Sequence, residues 1–347
     1  MAAPSRRRST GALRGSSANP AKGDTAEVGD AGEGLAVRLL VHASALEKCR
    51  LTRYGVRPSR RPSTPPDMQA ILLRDVERAK WHDHASESVF ELRECDKGIG
   101  MFAIRDVPAH QVLATEAPIV VDGDIEAQVR ALHKADADRF WALHDCHAPS
   151  AKTALGIYRT NAFPLGPRGE GLFPLLSRVN HSCKPNAQII WDERAGRTML
   201  VSFRPIATGD EIAHSFVPAI DWSRIRRQEF LKTRFRFDCR CALCELPEGE
   251  SAESDRRRQI ISGLDEQLAQ LRQDLRSSGV VARGRLHSGL AAALRQLQLL
   301  RLEEAEPTSI RGIVLCAYNV CYAAGDVAAA VRWLEVYKRY AELTEGP

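Results

Sequence analysis

The stretch that decides the fold is a polar loop of seven residues near the middle of the chain. It reads Asn180-His181-Ser182-Cys183-Lys184-Pro185-Asn186. More than fifty residues later the chain carries three further cysteines, in the pattern Cys239-x-Cys241-x-x-Cys244. A turn can direct three thiolates at this spacing towards one point, and a tetrahedral Zn²⁺ ion needs a fourth ligand. Cys183 is the best candidate because it lies in a polar loop that contains a proline.

The remaining cysteines allow other interpretations. Cys316 and Cys321 lie in an apolar helical segment, which is typical of buried core cysteines. Cys183 could also act as a nucleophile beside His181, but the sequence shows no third group that would orient this histidine. An odd total of nine cysteines fits a reducing compartment better than a disulfide framework. We therefore predict a structural zinc site in an intracellular protein.

The positive charge of the chain is concentrated at its beginning. Residues 1–65 hold 12 Lys and Arg against 5 Asp and Glu, whereas residues 66–347 hold 37 against 39. The near-neutral body predicts no direct nucleic-acid binding by the folded core. No run of eighteen or more apolar residues occurs, so the sequence also predicts no membrane span.

Residues 1–67 are predicted to be a disordered basic region, because they are rich in Ser, Gly, Ala and Arg and can bury little apolar area. A short helix is predicted at residues 37–48 and a stiff proline-rich linker at residues 57–66. The basic start permits a solvated tail, which we favour, a weak nuclear signal or a mitochondrial transit peptide. We predict the nucleus or the cytoplasm as the location, and the sequence does not exclude mitochondrial targeting.

From residue 89 onward, short apolar segments alternate with turn residues, which is typical of strands. The predicted strands lie at residues 90–93, 101–104, 112–114, 188–191, 198–203 and 211–216. Helical spacing at residues 125–159 predicts an insertion between them, and residues 250–347 are predicted to be all-helical. Within that last region, residues 313–341 resemble one tetratricopeptide-like helix pair. The fold class is therefore α+β, with an irregular β-rich core.

A glycine turn precedes the first long gap between strands. Gly98-Ile99-Gly100-Met101-Phe102-Ala103 matches the dinucleotide-binding pattern G-x-G-x-x-A. That motif has to open a helix, whereas this chain reaches Val107-Pro108 within a few residues. Two interpretations stay open: a turn that lets a ligand approach the backbone closely, and an ordinary hairpin turn.

Four motifs follow one another within about 150 residues: the glycine turn, the loop at residues 180–186, a Gly-Asp-Glu turn at residues 209–211 and the cysteine cluster. In this order they resemble a SET-domain protein of the SET and MYND-related type, without the MYND finger. The resemblance covers about residues 86–246. It implies a β-clip-like SET fold at residues 86–217 with a helical insert at about residues 122–172. It also implies a zinc-binding post-SET segment at residues 235–246.

The resemblance implies S-adenosylmethionine as cofactor and a protein or peptide lysine as acceptor. It assigns the cofactor to Lys97, Gly98, Ile99, Gly100, Met101, Asn180, His181 and Phe237. It assigns structural Zn²⁺ to Cys183, Cys239, Cys241 and Cys244.

Two aromatic positions depart from the family pattern. Phe216 stands where the family carries its catalytic tyrosine, and Phe235 stands where relatives often carry a second one. Phenylalanine preserves the apolar wall of a lysine channel but cannot donate or accept a hydrogen bond. The sequence therefore supports two functions: a protein-lysine methyltransferase, or a catalytically impaired SET-domain scaffold that binds partners.

Overall fold

The first sheet brings together strands that are far apart in the sequence. The computed structural model describes residues 66–77, 88–148 and 150–345. The sheet contains β1 (Phe90–Cys95), β2 (Gly98–Ala103), β7 (Asn180–His181) and β10 (Glu211–His214), in the spatial order β1-β2-β10-β7. The pairs β1–β2 and β2–β10 are antiparallel, and β10–β7 is parallel. The glycine turn, the loop at residues 180–186 and the Gly-Asp-Glu turn therefore meet in one sheet.

The described residues also form two three-stranded antiparallel sheets. One has the order β3-β9-β8, and the other has the order β4-β6-β5. The strands of the first are β3 (Val112–Glu116), β8 (Ala187–Asp192) and β9 (Arg197–Ser202). Those of the second are β4 (Val120–Val121), β5 (Ala162–Pro164) and β6 (Glu170–Leu172). A common core of buried side chains from several strands, among them Met101, Leu200 and Ile212, packs between them.

Three helices interrupt the strands. They are α2 (Ile125–Ala131), α3 (Lys134–Trp141) and α4 (Ala154–Asn161). The Asp124 carboxylate accepts the backbone N–H of Ala127, and the Thr153 hydroxyl accepts that of Gly156, so side chains cap α2 and α4. Two 3₁₀ turns follow, at Gly166–Arg168 and Leu176–Arg178. The second turn leads directly into β7, and the insert therefore ends beside the candidate site.

A helix after β10 carries the chain to the cysteine cluster. Helix α5 (Arg224–Phe235) begins at Ser223, whose hydroxyl accepts the backbone N–H of Arg226. It ends at Arg236, which has a left-handed backbone with φ 63°. This reversal costs about 1–2 kcal/mol for a residue other than glycine. It turns the chain sharply between the side chains of Phe235 and Phe237.

The rest of the described chain is helical. The helices are α6 (Glu248–Ser278), α7 (Arg283–Leu302), α8 (Pro307–Ala323) and α9 (Val327–Glu345), and successive helices pack against each other. An early helix, α1 (Pro66–Glu77), packs on α9, where Arg332 Nε donates to Gln69 Oε1 at 3.1 Å. None of the helices in the described ranges is long and apolar enough to cross a membrane.

The predicted fold class is confirmed: the structure is a mixed α+β fold with small sheets and an all-helical C-terminal region. Gly98 and Gly100 lie in strand β2 and not at the start of a helix, in agreement with our rejection of dinucleotide binding. Cys316 and Cys321 are buried within α8. The predictions for residues 1–65 lie outside the described residues.

Candidate functional site

The hairpin β1–β2 forms one wall of the site. Gly98 opens β2 with φ 99°, a backbone conformation that favours glycine. Gly100 needs to be glycine for another reason. A Cβ atom there would lie 2.9 Å from Asn180 Nδ2 and 3.0 Å from Glu211 Oε1. The missing side chain therefore lets two polar groups from other strands approach the backbone of β2.

The loop at residues 180–186 is fastened to β10 by backbone and side-chain hydrogen bonds. Asn186 Oδ1 accepts the backbone N–H of Ala213 at 2.9 Å, and Asn186 Nδ2 donates to the carbonyl oxygen of Glu211 at 2.9 Å. The backbone N–H of Ser182 donates to the His214 carbonyl oxygen at 3.0 Å. The Asn186 side chain thus makes two hydrogen bonds to the backbone of β10, in place of strand pairing. These bonds hold the loop against β10 after the two-residue strand β7 has ended.

His181 links this loop to Phe216 and to the cysteines. Its Nδ1 accepts the backbone N–H of Phe216 at 2.9 Å, and its Nε2 lies 3.2 Å from Cys183 Sγ. Burial lowers the pKa of His181 to about 4, so the ring is neutral at physiological pH. Because Nδ1 is an acceptor in this ring, the single proton lies on Nε2 and is directed at the Cys183 sulfur.

Aromatic rings surround Phe216. Its ring centroid lies 5.2 Å from that of His181 and 4.8 Å from that of His214. Towards the cysteines of residues 239–244, it lies 5.0 Å from Phe235 and 6.4 Å from Phe237. The left-handed turn at Arg236 explains why Phe235 and Phe237 both reach the same ring. The side chains of this cluster form an apolar wall without a hydroxyl group.

The four cysteines of the two motifs form one cluster. Their sulfur atoms all lie within 4.8 Å of one another. Cys183 Sγ is 3.6 Å from Cys244 Sγ and 4.0 Å from Cys239 Sγ. Sulfur atoms at the corners of a Zn–S tetrahedron with bonds of about 2.3 Å are about 3.8 Å apart. The distances are too long for disulfides, and the cluster can hold a metal ion.

A buried arginine supports a charged metal–thiolate group at this position. Arg227 is 2% exposed, and its Nε has no hydrogen-bond partner among the described residues. Burial opposes its charge, but the Cys183 and Cys244 sulfurs hold its pKa above the ordinary value. Four thiolates around a divalent ion carry a net charge of about −2, which a neighbouring guanidinium partly neutralises. The residues present therefore fit a Cys₄ metal site.

The C-terminal helices contact the same loop. Glu304, just after α7, pairs with Lys184 Nζ at 2.5 Å and with the Arg204 guanidinium. Glu304 has a left-handed backbone with φ 51°, which directs the turn between α7 and α8. In addition, Gln188 Nε2 in β8 donates to the Leu343 carbonyl oxygen in α9 at 3.0 Å. The helical region therefore supports the loop that carries Asn180, His181 and Cys183.

The residues singled out from the sequence lie close together in the structure. Residues 98–101 lie in β2, Asn180 and His181 form β7, and β10 lies between these two strands in the same sheet. Lys97 lies in the turn before β2, and the cysteine cluster begins two residues after β7. Residues 97–99 are exposed, Ile99 by 40%, whereas Gly100 and Met101 are buried. Sequence reasoning missed the role of the Glu211 side chain. Its only signal was its place in the Gly-Asp-Glu turn.

Comparison with known proteins agrees with this arrangement. A family model described as the SET domain matches residues 98–217. The histone-lysine N-methyltransferase set5 of Schizosaccharomyces pombe is 28% identical over 181 residues, which cover 51% of this chain and 56% of that protein. The histone-lysine N-methyltransferase ASHR1 of Arabidopsis thaliana is 39% identical over 80 residues, covering 23% and 16% of the two chains.

A SET and MYND domain-containing protein of Dictyostelium discoideum is 38% identical over 74 residues, which cover 21% of this chain and 13% of that protein. The chain thus spans about half the length of the fission yeast relative and a smaller share of the other two. Residues 98–217 are a SET domain, and the chain is homologous to proteins named histone-lysine N-methyltransferases and to a protein named for its SET and MYND domains.

Proposed function

We propose that the chain is an S-adenosylmethionine-dependent protein-lysine N-methyltransferase. The observation that carries the proposal is the meeting of β2, β7 and β10 in one sheet, with Phe216 directly after it and the cysteine cluster beside it. The relatives above carry histone-lysine methyltransferase names, which supports a lysine side chain of a protein as acceptor. For the domains we propose the limits predicted from the sequence: a SET domain at residues 86–217 with a helical insert at about residues 122–172, and a zinc-binding segment at residues 235–246.

The cofactor is assigned to the backbone of residues 97–101, to Asn180 and His181, and to the ring of Phe237. When bound, it supplies a methyl group on a positively charged sulfur atom. Gly98 leaves the backbone at the start of β2 exposed, and Gly100 lets the Asn180 side chain lie against the same strand. Phe237 is half-buried, so one face of its ring can pack on a ligand. Zn²⁺ is assigned to the four cysteines. Its role is to hold residues 235–246, and with them Phe237, over the site.

The chain contributes to methyl transfer by orientation and by exclusion of water. Phe216 and Phe235 provide apolar walls, which favour a neutral lysine amine over the charged ammonium form. His181 holds the backbone N–H of Phe216 and thereby fixes where this wall lies. The absence of a phenol at both positions favours the second candidate function, a SET scaffold with impaired catalysis. A preorganised hydrogen-bond donor is commonly worth roughly 10²–10³ in rate.

Methyl transfer from labelled S-adenosylmethionine to lysine peptides and to the chain itself distinguishes the two functions. We expect the wild type to be labelled and Phe216→Tyr to be labelled faster, by at most about 10²–10³-fold. Phe235→Tyr serves as the matched control for an added hydroxyl in the same cluster. Label that appears only in Phe216→Tyr would reject the enzyme and support the scaffold.

Gly100→Ala is expected to weaken cofactor binding about tenfold or more, because a shift forced on a packed group costs about 1–3 kcal/mol. The new methyl group meets Asn180 Nδ2 at 2.9 Å, and Glu211 holds that amide in place. Isothermal titration with S-adenosylhomocysteine measures the effect. Gly263→Ala is the control, since a Cβ atom there meets nothing within 4 Å. Equal affinity of both variants would contradict the predicted close approach.

A further inference from the structure

Three arginines surround the end of α5, next to Phe235. Arg234 lies in the last turn of α5, Arg236 follows in the left-handed turn, and Arg159 lies in the last turn of α4. The guanidinium carbon of Arg234 lies 5.3 Å from the centroid of the Phe235 ring. Arg159 and Arg236 are exposed, and Arg234 is half-buried. We call these three residues the arginine rim.

Arg234 connects α5 to the helical insert and keeps its charge. Its Nη1 donates to His147 Nε2 at 3.2 Å, and its Nη2 donates to the Arg159 carbonyl oxygen at 2.8 Å. A guanidinium group can only donate, so this histidine nitrogen carries no proton and both acceptors are neutral. The two bonds therefore fix the position of the guanidinium group without neutralising it.

Among the described residues, no carboxylate forms an ion pair with any member of the arginine rim. Two carboxylates of this region have other partners. Asp238 pairs with Lys232 at 3.0 Å. Asp145 is 5% exposed and accepts the backbone N–H of His147 at 2.9 Å. The negative ends of α4 and α5 offset part of the positive charge, but Arg236 lies beyond the end of α5.

The arginine rim lies beside the proposed lysine channel. Phe235 is one wall of that channel, with its ring 5.0 Å from that of Phe216, and both of its neighbours in the chain belong to the rim. A segment that delivers a lysine to these walls therefore passes the rim. Successive residues of an extended chain are about 3.3 Å apart, so residues within about three positions of the lysine come within reach. Carboxylates at these positions would pair with the guanidinium groups, and basic side chains would be repelled.

We propose that the arginine rim selects protein segments in which acidic residues flank the target lysine. This inference rests on the lysine channel of the proposed function and names its substrate class, an acidic segment and not one rich in lysine and arginine. It does not require that the chain transfers methyl groups.

Fluorescence anisotropy of the full chain with S-adenosylhomocysteine present tests the proposal, because it measures peptide binding and not methyl transfer. Three labelled peptides of equal length carry a central lysine flanked by glutamate, glutamine or arginine. We expect the glutamate peptide to bind roughly tenfold more tightly than the glutamine peptide, because each exposed ion pair contributes up to about fivefold. The arginine peptide should bind more weakly than either. Replacing the central lysine of the glutamate peptide by leucine should lower its affinity, and high salt should reduce the preference.

Arg236→Glu reverses one charge of the rim at an exposed side chain that has no partner among the described residues. It is expected to reduce the preference for glutamate over glutamine about tenfold, and Arg234→Gln/Arg236→Gln should leave a preference of less than about threefold. Arg226→Gln is the matched control, because it removes an exposed charge from the same helix, about 12 Å before Arg234 along the axis. It should change the preference less than about twofold. The charge of residues 1–65 is the same in all of these proteins.

A preference for the arginine peptide, a wild type that binds none of the peptides, or a preference that both rim variants retain would overturn the proposal. Binding of the glutamate peptide that does not depend on its lysine would also overturn it. A single-stranded oligonucleotide of equal charge that binds more tightly would show a nucleic-acid surface instead. If the double variant does not fold, Arg236→Glu decides alone. A chain that shows the expected preference but transfers no methyl group would reject the proposed function and leave this inference standing.

Discussion

Cys241→Ser is expected to abolish stoichiometric zinc binding and to unfold residues 235–246. The four sulfur atoms lie within 4.8 Å of one another, and the cluster packs with Phe216, Phe235 and Phe237 around buried Leu231. Structural zinc contributes about 10–16 kcal/mol of apparent binding free energy in zinc-finger peptides. We therefore expect the free energy of unfolding of this segment to fall by about 5 kcal/mol or more. Affinity for S-adenosylhomocysteine should fall as well, because Phe237 is released.

Zinc content by mass spectrometry, limited proteolysis and titration calorimetry measure the three effects. Cys146→Ser is the matched control, since Cys146 lies outside the cluster and its sulfur donates to the Arg234 carbonyl oxygen at 3.6 Å, which a hydroxyl can also do. A chelator should reproduce the Cys241→Ser result in the wild type. Unchanged thermal stability and cofactor affinity in a zinc-free Cys241→Ser protein would show that the metal does not hold this segment.

Motifs at short spacing were predictable from the sequence because their geometry is local. Cys239, Cys241 and Cys244 lie within six residues, and a single turn brings their sulfurs together. The helices of the C-terminal region were predictable because their 17 to 31 residues repeat the apolar period several times along the chain. Cys183 is distant in the sequence, and it was assigned to the same cluster because a tetrahedral zinc ion needs a fourth ligand. The structure places it there.

Partners that are distant in sequence were not predictable. Glu211 was recognised as part of a motif, but its contacts are with Lys97 and Asn180 on other strands. Helix α1 begins at the edge of the predicted disordered region, and its Gln69 contacts Arg332, 263 residues later. A helix of three turns shows too little periodicity to reveal which face is buried. Only the packed α9 explains why this segment is ordered.

Three consecutive arginines in α6 lie in different environments. Residues 256–258 are three consecutive arginines, which normally indicate a solvated helix face. In the structure, Arg256 pairs with Glu253 on the surface, whereas Arg258 is 1% exposed. One helical residue corresponds to a rotation of about 100°, so three adjacent side chains point in three different directions. For each charged residue of such a run, the helix face on which it lies therefore has to be identified before the residue is predicted to be exposed.

Glu303→Ala is expected to lower the free energy of unfolding by about 3–5 kcal/mol, the cost of removing one partner from a buried ion pair. The Glu303 side chain is 2% exposed and accepts from Ser254 Oγ at 2.7 Å, Arg257 Nε at 2.6 Å and Arg258 Nε at 2.8 Å. The Arg258 guanidinium also donates to the Ile220 carbonyl oxygen, four residues after Phe216. The cluster therefore connects α6 and α7 with the chain that leaves the site, and its loss leaves a buried guanidinium without its carboxylate.

Chemical denaturation measures the loss, and two variants distinguish its cause. Glu335→Ala removes the carboxylate of a surface pair with Arg339, in which both side chains are about half exposed, and should cost less than about 1 kcal/mol. The double variant Glu303→Leu/Arg258→Met removes the fully buried ion pair and should recover much of the stability lost in Glu303→Ala, because the remaining guanidinium, that of Arg257, is 24% exposed and still pairs with Glu253 at 3.5 Å. A double variant as unstable as Glu303→Ala would show that shape, and not charge, makes this cluster necessary.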